Sequence, residues 1–138
     1  MMHRILLGYD GSASAERAYA LAVDLAQRYG AELHVLAVAR PPDFGDEVET
    51  EAAIEHSRRH YGQVLAALHP RLAHDAKGAH ATLAVGHPAE QLLRYAELHG
   101  IDHIVVGHRG RTAFERWLIG SVARQVIAHA HCAVTVVR

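Results

Sequence analysis

The sequence predicts an α/β fold in which five β-strands form one parallel sheet with helices on both of its faces. Short apolar runs that are typical of buried strands alternate with longer stretches of helical spacing, in the order β-α-β-α-β-α-β-α-β. Strict alternation of this kind favours parallel strands joined by helical crossovers. The chain has 138 residues and contains no internal repeat or linker, so we expect a single domain over residues 1–138.

The chain begins with a strand, a helix and a second strand. Residues 5–7 are the short apolar run of the first strand. Ser12 is a suitable N-cap for a helix that runs to about Tyr29, and Gly30 follows it as a glycine that can end a helix. Residues 33–38 then form the second strand.

A loop and a second helix come next. Residues 40–45 contain two prolines and a glycine, which favour a solvated loop, and the acidic run 46–51 extends it. Helical spacing then predicts a helix over about 49–68. We expect Pro70 to close this helix, because proline lacks the N–H that continues the hydrogen-bond ladder.

The second half of the chain continues the alternation. An alternating small and polar pattern predicts an edge strand, and a proline-containing turn leads into a short amphipathic helix. The predicted bounds are 79–85 for the third strand, 89–99 for the third helix, 104–106 for the fourth strand, 122–130 for the last helix and 133–137 for the last strand.

Composition excludes several function classes. The net charge is −1 with neutral histidines, whereas a protein that binds nucleic acid or a membrane surface shows a basic excess. No apolar run approaches the ~20 residues of a membrane span. The start leads straight into a strand, so we expect no signal peptide, and the lone Cys132 cannot form an intrachain disulfide. We therefore expect a cytoplasmic protein without nucleic-acid or membrane partners.

Histidine is abundant, with 13 residues, and two pairs have spacings that a metal ion could bridge. His56 and His60 are four positions apart on a predicted helix, and His129 and His131 flank one alanine. Metal sites usually need three or four ligands. No cysteine or carboxylate cluster completes either pair, so we interpret both as surface histidines.

A glycine-rich motif near the end of the chain is the strongest functional signal. Gly107 and Gly110 follow the fourth strand, and Gly120 and Ser121 stand nine residues later, at the start of the last helix. Bare backbone N–H groups and the positive end of a helix dipole suit a phosphate group. The alternative is that these glycines only serve turns.

Two further positions are expected near this loop. Asp10 follows the first strand and Val38 ends the second, so both lie at the same end of a parallel sheet as Gly107. Ligands of open α/β sheets bind beyond the carboxyl ends of the strands, where the strand order reverses. If the first and fourth strands are neighbours, all three positions line one cleft. For Asp10 the alternative is turn and cap chemistry with Gly11 and Ser12.

The last predicted strand, Ala133 to Val137, consists of residues that favour strand structure. It comes at the end of the chain, so we expect it at an edge of the sheet. An uncovered apolar edge invites pairing with another chain. We therefore expect a homodimer through this strand; the alternative is that Arg138 and a helix cover the edge.

These motifs resemble the nucleotide-binding branch of the universal stress protein family, over essentially the whole chain. The family loop G-x2-G-x9-G-[ST] matches Gly107, Gly110, Gly120 and Ser121. The runs 5–12, 86–89 and 131–137 are similar as well, although the family usually has a proline at position 133. The resemblance implies a Rossmann-like, adenine nucleotide alpha hydrolase-like sheet of order 3-2-1-4-5, with two helices on each face and a dimer through the fifth strand.

The resemblance also implies an ATP site, or one for AMP or ADP. Gly107 and Gly110 would let the backbone approach the ribose and phosphates. Gly120, Ser121 and Val122 would direct N–H groups to the phosphates.

The remaining roles concern charge and the base. Asp10 would hold Mg²⁺ or Mn²⁺ on the phosphates, or the ribose, and Val38 would contact the adenine. Arg109 and Arg111 either neutralise phosphate or are solvated loop charges.

The sequence favours binding over turnover. It lacks the lysine-containing phosphate loop of P-loop enzymes, and its only lysine, Lys77, lies in a predicted loop elsewhere. His108 is a single candidate for orienting a water molecule, so slow ATP hydrolysis stays open. The alternatives are an adenylating enzyme of related fold and a nucleotide-free dimeric stress protein that acts through an unknown signalling partner.

Overall fold

The computed structural model describes residues 2–41, 47–109 and 120–138, which form strands and helices in strict alternation. The loop predicted over 40–45 lies largely outside these residues. In chain order the elements are β1 Arg4–Gly8, α1 Ala13–Tyr29, β2 Glu32–Ala39, α2 Glu47–Asp75, β3 His80–Val85, α3 Pro88–Leu98, β4 His103–Gly107, α4 Ser121–His129 and β5 Ala133–Val137.

The five strands form one parallel sheet of order β3-β2-β1-β4-β5, which confirms the predicted fold. The middle of the central strand β1 is fully buried, with Ile5, Leu6 and Leu7 all at 0% exposure. A strand that is buried on both faces has a continuous apolar run rather than an alternating pattern, and residues 5–7 of β1 form such a run.

A separate apolar cluster fills each side of the sheet. Ile5 and Leu7 belong to the cluster that includes residues of α1 and α2. Leu6 belongs to the opposite cluster, with Leu92 of α3 and Val126 of α4. Two helices therefore cover each face, because successive strand residues point to opposite sides.

The ends of α1 follow from its caps. The Ser12 hydroxyl accepts a hydrogen bond from the N–H of Ala15 at 3.2 Å. Gly30 has the left-handed backbone conformation, with φ of 63°, and the N–H of Ala31 reaches the carbonyl of Ala26. Both predicted caps are confirmed.

Helix α2 differs from the prediction, because it continues through Pro70 to Asp75. The residues beyond the proline have strong tertiary partners: Leu72 is 3% exposed, and Asp75 accepts a 2.7 Å hydrogen bond from the hydroxyl of Tyr19. Burial of these groups offsets the missing N–H of Pro70. The expectation that the proline closes the helix was wrong.

The two edges of the sheet are β3 and β5, as predicted. On β5, the carbonyl of Val137 accepts a 2.7 Å hydrogen bond from the N–H of His108, so Val137 faces β4. Backbone polar groups alternate in direction along a strand. Thr135 therefore faces β4 as well, and Val136 directs its N–H and carbonyl away from the sheet.

Within the described part of the chain, none of the helices combines the length and apolar character that crossing a bilayer requires.

Candidate functional site

A cleft of about 360 Å³ opens at the carboxyl ends of β1 and β4. Small-molecule sites have volumes of roughly 300–1,000 Å³. The cleft lies where the strand order reverses, since β1 has β2 on one side and β4 on the other, and ligands bind at such points. Its lining includes seven residues that the sequence nominated: Asp10, Val38, Gly107, Arg109, Gly120, Ser121 and Val122.

Gly110 and Arg111 lie outside the described residues. The structure therefore brings both ends of the glycine loop together with the ends of β1 and β2, and the role of each residue stays a prediction.

The start of helix α4 lies at the cleft, with backbone N–H groups that have no partner within the helix. Gly120 is the N-cap and supplies no side-chain cap. The first helical hydrogen bond runs from the N–H of Arg124 to the carbonyl of Gly120 at 3.0 Å. The preceding N–H groups, on Ser121, Val122 and Ala123, have no acceptor within the helix.

Gly120 lines the cleft, and its role at the phosphates stays a prediction. Its N–H donates a 2.5 Å hydrogen bond to the carbonyl of His108 and is thus engaged with protein. Ala123, which the sequence analysis did not nominate, lines the cleft one residue further on. The hydrogen bond between Gly120 and His108 joins the two ends of the loop, and the linear motif does not predict it.

Helix α1 packs so closely against Gly107 that a side chain at this position would collide with Ser14. A Cβ at this position would overlap Oγ of Ser14 and would lie 3.0 Å from the carbonyl carbon of the same residue, at the tight limit of real contacts. Ser14 is 4% exposed, and its hydroxyl donates to the carbonyl of Arg109. This glycine therefore serves helix–strand packing directly beneath the cleft.

Asp10 combines turn chemistry with a place in the cleft. Its Oδ1 accepts a hydrogen bond from the N–H of Ser12 at 2.9 Å, and Gly11 takes a φ of 79°. The turn alternative is thus realised in this structure. Among the residues that the structure describes, Oδ2 has no hydrogen-bond partner, so one carboxylate oxygen remains for a ligand.

Val38 directs main-chain groups into the cleft because β2 extends beyond the pairing with β1. That pairing ends with Gly8 opposite Leu36, and the N–H of Tyr9 donates to the carbonyl of Leu36 at 3.0 Å. Two residues later, Val38 directs its N–H and carbonyl to the same side, where β1 has ended. It can therefore both donate to and accept from a planar base.

Two lining residues that the sequence did not predict add a charge and an aromatic ring, Arg40 and Tyr61, and His108 lines the cleft with them. Arg40 stands two residues beyond Val38, so the alternation of the strand could have identified it. Tyr61 comes from α2, and a single sequence gives no signal that this helix reaches the cleft.

His108 is buried, at 6% exposure, and its Nδ1 has no hydrogen-bond partner in the described part of the chain. Burial, assisted by the positive charge of Arg109, lowers the pKa of its imidazole. His108 is therefore neutral at pH 7. One of its ring nitrogens can donate a hydrogen bond and the other can accept one.

A hydrogen-bonded network supports the floor of the cleft. The hydroxyl of Tyr9 donates to Glu16, which accepts two hydrogen bonds from Arg71, at 3.0 and 2.8 Å. Burial and the neighbouring Glu16 raise the pKa of Tyr9 to about 12. Tyr9 thus stays protonated and is a positioning group rather than a base.

The sequence profile of the universal stress protein family matches residues 1–138. A universal stress protein of Thermus aquaticus is 37% identical over 139 residues, and the match covers 100% of both chains.

Solved structures have the same fold. The universal stress protein UspA from Lactobacillus plantarum is 28% identical with a TM-score of 0.90, covering 99% of this chain and 98% of its own. A universal stress protein in complex with cAMP is 24% identical with a TM-score of 0.72, covering 99% and 97%.

Proposed function

The chain belongs to the universal stress protein family, and we propose that its cleft binds an adenine nucleotide: ATP, or AMP or ADP, with Mg²⁺ or Mn²⁺ on the phosphates. In this proposal the protein is a stress-response module that signals through nucleotide occupancy to a partner still to be identified.

One observation carries the proposal. Helix α4 begins at the cleft with the N–H groups of Ser121, Val122 and Ala123 unsatisfied within the helix and without a side-chain cap. Such a terminus attracts anions through its donors and its dipole. Arg109, which also lines the cleft, adds positive charge. Phosphate is the ligand group that this arrangement suits best.

The other side of the cleft suits a base. The main-chain donor and acceptor of Val38 match the hydrogen-bonding edge of adenine. Tyr61 supplies an aromatic ring for stacking, which stabilises aromatic pairs by about 0.5–1.5 kcal/mol. The similar universal stress protein that was solved with cAMP supports an adenine ligand.

The donor set also fits a divalent cation. Asp10 is the only carboxylate among the described residues that line the cleft. Mg²⁺ is usually held by one or two carboxylates together with the substrate phosphates. The cation would neutralise phosphate charge and so remove the repulsion between Asp10 and the nucleotide.

We propose binding rather than turnover, because the described lining residues include neither lysine nor cysteine. Slow ATP hydrolysis is the second candidate, since His108 lines the cleft, its Nδ1 has no hydrogen-bond partner among the described residues, and its imidazole could orient a water molecule. Phosphate release that falls in His108→Gln would favour it. A nucleotide-free dimeric protein is the remaining alternative.

We further propose a homodimer through β5. The outward main-chain groups of Val134 and Val136 have no strand partner in the described sheet, and an open edge is a template for pairing. The cytoplasm is the proposed location, since a single cysteine suits a reducing compartment.

Calorimetric titration of the purified protein with ATP and Mg²⁺ tests nucleotide binding. Gly120 has φ of −63° and ψ of 160°, a backbone conformation suited to an N-cap residue. Gly120→Asp would therefore cap helix α4 and place a negative charge at the phosphate position, whereas Gly120→Asn would cap it without charge.

We expect ATP affinity in Gly120→Asp to fall at least about tenfold below that in Gly120→Asn, with both variants as stable as the parent or more so. No binding heat at millimolar ATP and no adenine nucleotide released on denaturation would refute the proposal. Equal ATP affinities of the two variants would show that the phosphates do not bind at the start of α4.

A further inference from the structure

A cluster of metal-ligating side chains lies at the amino ends of β2 and β3, the opposite end of the sheet from the cleft. His34 of β2 is the register partner of His80 of β3, so the two imidazoles are side by side on one face. Glu32 precedes His34 by two residues and therefore projects from the same face. Spacing along the sequence indicates only the pairs His56/His60 and His129/His131, because this pair is built by two strands that are distant in sequence.

The spacing of the donor atoms suits one small cation. Oε1 of Glu32 lies 2.8 Å from Nε2 of His34 and 3.1 Å from Nε2 of His80. One ligand atom from each of the three residues lies within 4.8 Å of the others. Zn–N and Zn–O bonds of about 2.0–2.1 Å separate neighbouring ligands of a tetrahedral ion by roughly 3.3 Å. The spacings from Oε1 of Glu32 to the two imidazole nitrogens, 2.8 and 3.1 Å, are close to this separation.

His34 is held in the orientation that ligation requires. The residue is 5% exposed, and its Nδ1 lies 2.6 Å from the hydroxyl oxygen of Tyr95. Tyr95 in turn stacks on His99, with ring centroids 3.9 Å apart, and hydrogen-bonds Thr82. In the metal-free cluster Nε2–H donates to Glu32, whereas a proton on Nδ1 that is donated to Tyr95 leaves the Nε2 lone pair for a cation. Ligating histidines characteristically use their second nitrogen in this way.

The rest of the environment is compatible with a bound cation. Arg4 lies 3.7 Å from Oε2 of Glu32, the oxygen that the imidazoles do not contact. The side chains of Glu32 and His80 are 42% and 56% exposed, so an ion can reach the cluster from solvent.

We propose that Glu32, His34 and His80 form a zinc site, with water as the fourth ligand. Two imidazoles and one carboxylate are ligands that zinc prefers, and three protein ligands leave one position open. The competing account is a metal-free hydrogen-bond cluster in which Glu32 bridges two histidines.

The test is a Zn²⁺ titration of the full-length protein after treatment with chelator, in competition with a chromophoric chelator. We expect one tight site per chain. Glu32→Gln and His80→Gln change partly exposed residues, so the fold should persist, and each should lower Zn²⁺ affinity at least about tenfold. The control is His56→Gln/His60→Gln, which removes a histidine pair on α2 and should leave the tight site unchanged.

Co²⁺ supplies a second readout, because four-coordinate Co²⁺ absorbs visible light much more strongly than six-coordinate Co²⁺. We expect the strong bands in the parent and in the α2 control, and their loss in Glu32→Gln and His80→Gln. Unchanged Zn²⁺ affinity in those two variants would overturn the proposal, as would an equal loss in the control. ATP affinity should be the same in the parent, Glu32→Gln and His80→Gln, so the experiments test the zinc site and the nucleotide site independently.

Discussion

The hydroxyl of Ser14 donates a hydrogen bond to the carbonyl oxygen of Arg109. Helix α1 thereby holds the first residues after β4 directly, at the point where the glycine loop leaves the sheet. The same serine backbone also occupies the space beside Gly107. The position of the loop entrance therefore depends on packing between α1 and β4 as well as on the loop itself.

Gly107→Ala should destabilise the protein by about 1–3 kcal/mol, because the new methyl group overpacks against the hydroxyl and the backbone of Ser14. Gly62→Ala is the matched control. Gly62 lies in α2 with nothing near its Cβ position, so alanine there should stabilise by about 0.5–1 kcal/mol. Urea unfolding measures both. Equal effects of the two substitutions would contradict the packing role of Gly107.

Much of the fold follows from local sequence, and Pro70 marks where local rules fail. Ser12 and Gly30 act within a few residues of themselves, so the chain around them predicts the bounds of α1. The continuation of α2 depends instead on burial of Leu72 and on the bond between Tyr19 and Asp75, which join distant parts of the chain.

The same distinction applies to the site. Asp10, Val38 and the glycine motif could be nominated because the carboxyl ends of parallel strands converge. The engagement of the Gly120 N–H and the approach of Tyr61 from α2 need the tertiary structure. The pairing of His34 with His80 needs the strand register, which a single sequence does not supply.

Pro70→Ala should raise the free energy of unfolding by about 1–2 kcal/mol. Alanine restores the helical N–H and removes the clash of the ring with the preceding turn, while the unfolded chain gains some entropy. Urea unfolding with an unchanged m-value is the measurement. A loss of stability would mean that the helix has adapted to the proline.

Arg71→Met should lower stability by about 1 kcal/mol at pH 7. Arg71 makes two hydrogen bonds to Glu16 and lies 4.6 Å from the ring centre of Tyr19, but the ion pair is partly exposed, which limits its contribution. Arg59→Met removes an exposed, looser pair with Glu55 at 3.9 Å on the same helix and should change stability by only a few tenths of a kcal/mol.

The effect of Arg71→Met should depend on pH. The hydrogen bonds from Arg71 lower the pKa of Glu16 below its usual 4.5. The unfolded chain therefore binds a proton before the folded one does, and this stabilisation is present above pH 4.5 and is lost as the pH falls through the folded pKa. The stability difference between parent and variant should shrink below pH 4.5. If the difference stays constant, packing of the Arg71 side chain accounts for it rather than the ion pair with Glu16.

Asp10→Asn should weaken ATP binding mainly when Mg²⁺ is present, because the amide keeps the turn hydrogen bond with Ser12 but is a poorer ligand for the cation. Calorimetry with and without Mg²⁺ separates the loss of affinity that depends on the cation from the loss that does not. Equal losses under both conditions would assign Asp10 to the turn or to the ribose instead.

Val136→Pro should convert the proposed dimer to a monomer without unfolding it. The N–H of Val136 points away from the sheet, and proline is tolerated on edge strands at such positions. Thr135→Pro is the control, since the N–H of Thr135 faces β4 and its loss should damage the fold. Analytical ultracentrifugation reports the mass and circular dichroism the fold. An unchanged mass of folded Val136→Pro would exclude this interface.

The parallel direction of the strands has a consequence for any such pair. Two copies joined at β5 by a two-fold axis run their edge strands in opposite directions, so the combined sheet reverses polarity at its centre. The nucleotide cleft of one protomer would then share a side of the assembly with the histidine cluster of its partner. A dimer of identical chains would present the same two chemistries on each side.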